Sequence, residues 1–117
     1  MKKLILLLFL ITFLVSGVWG DRVKIRKLPD YVVTGSLTPD ATGNYYYTGI
    51  VNGKPYYRRG IDSWFIWRSE VNNTWWITTT LASISGYRWT RVNTEIVGSY
   101  VAEGGATGTA TVTAYGD

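Results

Sequence analysis

Apolar and polar positions along this chain alternate with a period of two, and turn-forming residues break the alternation at roughly the 8–12-residue spacing of a β meander. The densest part runs from Gly43 to Leu81. In Asn44–Val51, Tyr45, Tyr47, Gly49 and Val51 fall on one side of a predicted strand, and Tyr46, Thr48 and Ile50 on the other. Asn52-Gly53 predicts a type I′ hairpin turn, because both residues tolerate positive φ. The return strand is expected over Tyr56–Arg59, with Pro55 near its start, where a missing N–H is tolerated, and Gly60 ending it. A third strand is predicted over Trp64–Arg68. A polar loop, Glu70–Asn73, leads into a fourth over Thr74–Leu81, with Trp75, Ile77, Thr79 and Leu81 as its core face. Tyr87–Val92, with Tyr87, Trp89 and Arg91 on one side, is the fifth; Ile96–Val101 and Thr109–Ala114 close the set, and Tyr31–Thr34 is a short strand ahead of them all. The expected fold is therefore all-β: a small antiparallel meander closed as a barrel or folded as a sandwich, since both show the same alternation.

The first twenty residues read differently. Lys2 and Lys3 precede an apolar run, Leu4–Val15, broken only by Thr12, and Val18 and Gly20 supply the small residues of a cleavage site. This is the pattern of an N-terminal signal helix cut after Gly20. The run is short for a bilayer span of about 20 residues, so membrane contact is expected only through the leader if it is left uncleaved. The expected organisation is a signal peptide (1–20), a basic lead-in or edge strand (21–34) and an aromatic-rich β domain (35–117), secreted or at the cell surface. The chain carries 12 basic and 8 acidic residues; without Lys2 and Lys3 the net charge is +2, too small and too scattered for a nucleic-acid partner. Cysteine is absent, so no disulfide staples the domain. Beyond the leader, five Trp, nine Tyr and one Phe are expected to supply the core instead.

The same composition narrows the chemistry. With no His and no Cys, nucleophile–histidine catalysis and imidazole or thiolate metal sites are excluded, and no cofactor is expected. The acids that could form a catalytic pair, Asp62 and Glu70, flank the third predicted strand and lie over roughly 20 Å apart at ~3.3 Å per residue, too far to work together. The chain is read as no enzyme. Binding is the better class. Adjacent rings in Tyr45-Tyr46-Tyr47, Tyr56-Tyr57 and Trp75-Trp76 must point to opposite faces of a strand, so one member of each can be core while the other lies on the second face. If that face is open, Tyr46, Tyr56, Trp67 and Trp76 form an aromatic strip with Arg58 beside it, a candidate surface for a glycan whose C–H faces stack on the rings. If the sheet curls or a second sheet covers it, the same rings are core. An echo of Gly35-Ser36-Leu37 and Ala41-Thr42-Gly43 in Gly98-Ser99-Tyr100 and Ala106-Thr107-Gly108 is either coincidence or the opening of a second unit. In the latter case the tail would pair with the edge of a neighbouring molecule.

Gly43-x-Tyr45, Gly49, Asn52-Gly53-Lys54-Pro55-x-Tyr57, Ile66-Trp67 and Trp75-x-Ile77, with Ala106-Thr107-Gly108-Thr109-Ala110, resemble a short β-rich module of bacteriophage virion and tail-type proteins and of environmental bacterial surface proteins. The resemblance spans about Val33 to Val112. It implies a structural or recognition module and carries no catalytic residues to transfer; the leader departs from the virion setting. The expected function is thus an exported, non-catalytic structural or attachment module, self-assembling through its terminal strands. The alternative is a carbohydrate-binding module that takes a surface glycan on the aromatic strip.

Overall fold

The computed structural model describes residues 27–60 and 62–117. The expected leader, and the Val23 and Ile25 positions of the expected lead-in strand, lie outside the described residues. Eight strands follow in order: β1 (Tyr31–Thr34), β2 (Gly43–Val51), β3 (Lys54–Arg59), β4 (Phe65–Arg68), β5 (Thr74–Thr78), β6 (Arg88–Val92), β7 (Gly98–Glu103) and β8 (Ala110–Ala114). Each pairs antiparallel with its chain neighbours, and β1 pairs with β8, so the meander is a closed barrel rather than a sandwich. Because Tyr31, Val32, Val33 and Thr34 pair with Ala114, Thr113, Val112 and Thr111, β1 is a barrel strand, and the boundary expected at Gly35 falls inside the barrel. The tail expected to seek a neighbouring molecule is likewise taken up at home: β8 closes the barrel, and Thr38 and Thr107 exchange backbone hydrogen bonds across the loops beside it. Closure leaves no strand edge free among the described residues.

Alternation fills the inside. Val33, Tyr45, Ile66, Ile77, Trp89, Tyr100 and Val112 are all at most 1 % exposed, and Trp64 tilts against Trp89 with ring centroids 5.8 Å apart. A small eight-stranded barrel is just wide enough for side chains to fill it. Both ends are plugged by the same device. Gly43 and Gly98 each open a strand with φ of 134° and 141°. Two residues on, the hydroxyls of Tyr45 and Tyr100 donate to the carbonyls of Ala41 and Ile96, each at 2.7 Å. An arginine from an adjacent strand, Arg59 of β3 and Arg91 of β6, lies over each glycine, where a Cβ would meet it. Arg59 donates to the carbonyl of Asp40 at 2.7 Å, and Arg91 to that of Glu95 at 3.0 Å, in both cases three residues before the glycine. Since β2 runs from one end of the barrel and β7 from the other, the two copies of this device draw Ala41 and Ile96 into opposite mouths. The strands hold four to nine residues, and Arg58, Arg88 and Glu103 lie on the outer face with Tyr46, Phe65 and Thr78, to which the register joins them. This is not the apolar face of 9–11-residue strands by which a barrel crosses a membrane.

Three local expectations change. In β2 the register slips between Tyr47 and Gly49: Tyr47 faces Tyr57, but Gly49 faces Tyr56. This β-bulge moves Gly49 and Val51 from the side of Tyr45 to the outer face. The fourth predicted strand ends at Thr78 instead of Leu81, so Thr79 and Leu81 take no part in the inner face. The last predicted strands begin two residues and one residue later than expected, at Gly98 and Ala110, and Ile96 becomes a plug.

Candidate ligand-binding site

With the interior filled, the place for a ligand is outside. The register aligns one row of outward side chains across the barrel. Gly49 pairs with Tyr56, Trp67 with Trp76, and Trp76 in turn with Thr90, which pairs with Val101. Tyr56 comes opposite Trp67 by continuation of the pairing of Tyr57 with Ile66. The bulge matters here. By bringing Gly49 to the outer face it leaves room for the Tyr56 ring, which lies where a Cβ on Gly49 would come within 3.1 Å. Tyr56 also tilts against Phe65, centroids 6.2 Å apart. Trp67 and Trp76 are stacked, with centroids 6.4 Å apart and planes 26° from parallel.

All five residues proposed for the strip thus sit on the outer face, but they are not equally placed. Trp67 and Trp76 form the floor of a surface groove of about 510 Å³. Tyr56 extends the same row. Tyr46 and Arg58 face each other one row further toward the opposite end of the barrel, where the Arg58 Nε donates to the carbonyl of Asp62 at 2.8 Å. Trp67, expected to be open, is only 4 % exposed. Its cover is the β5–β6 connection. This segment leaves β5 at the end of the barrel opposite the β4–β5 turn, yet Ala82 and Ile84 line the groove together with Ser69, Glu70, Val71 and Asn72 of that turn. It must therefore fold back along the outside of the sheet. A short relay starts it: Trp67 Nε1 donates to Thr78 Oγ1 at 2.8 Å, and Thr78 Oγ1 donates to the carbonyl of Thr80 at 2.8 Å.

The other wall is a knot of turns. Asn52 Nδ2 donates to the carbonyl of Arg68 at 3.0 Å, tying the β2–β3 hairpin to the end of β4. The Val71 amide donates to Ser69 Oγ at 3.1 Å, and Arg68 Nη2 donates to Asn73 Oδ1. Among the described residues four non-glycines hold positive φ: Asn52 (53°), Asn72 (60°), Asn73 (46°) and Ala82 (63°). Three of them line the groove. Asparagine takes this conformation readily in turns, but for alanine it is uncommon and costs energy. Strain of this kind clusters where a surface has a job to do.

The groove is amphipathic. Its floor is indole, Val71 and Ile84 stand on its walls, and Asn52, Ser69, Asn72 and Thr74 supply hydrogen-bonding groups. Glu70 is the one ionisable residue lining it. It forms no ion pair among the described residues, whereas Arg59 is held by Asp62 at 2.7 Å and Arg88 by Glu103 at 3.2 Å. Asp62 and Glu70 fall at opposite ends of β4, as the order of the chain requires. Sequence reasoning missed the groove's walls: Asn52, Asn72 and Glu70 read as ordinary turn residues, and nothing in the period of Thr79–Tyr87 announces a segment that doubles back. Comparison with protein-family models, with curated proteins and with solved structures finds no match, so the resemblance to phage and bacterial surface modules rests on its motifs alone.

Proposed function

We propose that this chain is an exported, non-catalytic attachment module that holds a saccharide in the outer groove over Trp76. The observation that carries the reading is the half-buried Trp76 indole, stacked on the buried Trp67, at the floor of a groove whose rim is amide and hydroxyl. A sugar ring has the matching character: an apolar C–H face that packs on the electron-rich face of an aromatic ring, and a hydroxyl edge that needs hydrogen-bonding partners. The wall made by the β2–β3 and β4–β5 turns is held together by side-chain hydrogen bonds, so little order has to be imposed on it in binding. The rival reading, self-assembly through the terminal strands, is less favoured because β1 and β8 occupy each other's edges.

The test is a titration of the purified protein with a panel of oligosaccharides, following Trp fluorescence and calorimetric heat. At least one neutral or amino-bearing oligosaccharide should shift the emission and bind saturably. Trp76→Ala should weaken that binding about 10-fold or more, as loss of a central aromatic anchor does. Trp89→Phe, a substitution on the inner face, should leave the affinity alone. A panel without a saturable ligand, or a Trp76→Ala variant of unchanged affinity, would refute the reading.

A further inference from the structure

We infer that the groove selects a saccharide bearing a free amino group, and that Glu70 is the residue that pairs with it. The inference rests on the saccharide-binding reading and narrows it. Three observations converge. First, Glu70 is the one charge lining the groove and has no ion-pair partner among the described residues, in a chain whose net charge is positive. Second, the cation nearest in sequence is spoken for: Arg68 donates to Asn73 Oδ1 and its guanidinium lies 5.9 Å from the centre of the Trp75 ring, which packs in the core. Third, the floor holds the half-buried Trp76 indole, backed by the buried Trp67, and an indole face attracts an ammonium as well as a C–H surface. A carboxylate and an aromatic face in one groove both favour a cation and both disfavour an anion. A sugar with a protonated amine satisfies the carboxylate, the rings and the polar rim together; a uronic acid sets its carboxylate against that of Glu70. Asn52 and Asn72, fixed in their turns on the groove wall, remain to meet neighbouring hydroxyls.

The experiment compares oligomers of glucosamine, N-acetylglucosamine and glucuronic acid at equal length, at a pH where the amine is protonated, with calorimetry on the intact protein. The amine-bearing oligomer should bind about fivefold or more tightly than the acetylated one, the sum expected of an exposed ion pair and a cation–π contact, and the acidic one most weakly. Raising salt should narrow the gap, since the pair is near the surface. Glu70→Gln should cut the gap between the amine-bearing and the acetylated oligomer to about twofold or less, the share left to the cation–π contact, and leave the acetylated one within about twofold of its parent affinity. Equal affinities in the parent protein, or a preference undiminished in Glu70→Gln, would overturn the role of Glu70 while leaving the groove a saccharide site. If none of the three binds and no other saccharide does, the underlying reading falls, and this inference with it.

Discussion

Tyr45 and Tyr100 do two things at once. Each fills the barrel with a ring that is 0 % exposed, and each aims its hydroxyl at a carbonyl four residues back to pin a plug. Burial makes the phenolate costly, and both hydroxyls are pushed well above the ordinary tyrosine range. Tyr57, half-buried beside Tyr31, is pushed up to about 12, first by burial and then by Tyr31 and Asp30. In the unfolded chain these groups ionise near pH 10. Folded-state values raised above that mean that their stabilising contribution is complete below about pH 10 and is lost as pH rises through the folded values. Denaturant midpoints should therefore fall steeply between pH 10 and pH 12, with part of the tyrosine absorbance change delayed until unfolding. A midpoint flat across that range would contradict the burial of these rings as ionisable groups. A Gly-x-Tyr pair was visible twice in the chain, at Gly43 and Gly98, but its common role was not legible. The arginine that completes each device comes from a neighbouring strand, Arg59 of β3 and Arg91 of β6, and only pairing brings it there.

At the scale of elements, the groove is made by one irregular strand and one irregular connection. The bulge in β2 puts Gly49 under Tyr56, and the β5–β6 segment doubles back over Trp67. Ala82 is the strained point of that segment, with φ of 63°. A left-handed alanine costs about 1–2 kcal/mol, partly matched by the extra chain entropy glycine loses on folding. Ala82→Gly should accordingly stabilise the protein by about 0.5–1 kcal/mol in urea unfolding; destabilisation would mean that the Ala82 methyl contributes more by packing in the wall than its backbone costs. The strand faces and the hairpin turn in the centre of the chain were readable because hydrophobic alternation there is strong: Trp75 and Ile77 inward, Trp76 outward, Asn52-Gly53 with φ of 53° and 74° at the turn. The phase beyond Tyr47 was not, because a bulge is one extra residue and leaves the residue types unchanged.

At the scale of the whole molecule, closure decides what the ends of the chain can do. β8 contributes Ala110 and Val112 to the core, both 0 % exposed, and its partner β1 would otherwise present an open edge. A chain ended at Gly105 loses β8, the Thr38–Thr107 bridge and the cover of β1 and β7 together. It should lose its cooperative thermal transition and scatter light as aggregates, because two open edges are templates for pairing with other molecules. The intact protein should unfold in a single step. A truncated chain that melts cooperatively as a monomer would show that the barrel does not depend on its last strand.

By itself the sequence determined that the fold is all-β and antiparallel, that its core is aromatic, and that one ring of each adjacent pair must face outward. These are local consequences of a period of two, of β-branched and aromatic residues, and of turn residues that accept positive φ. Only the tertiary structure decided the rest: barrel over sandwich, a tail that closes its own barrel, a Trp67 covered by a connection from the far end, and a lone carboxylate lining the same groove as Trp76. Each of these depends on contacts between residues distant in sequence, and a strand's alternation is the same whichever neighbour it meets.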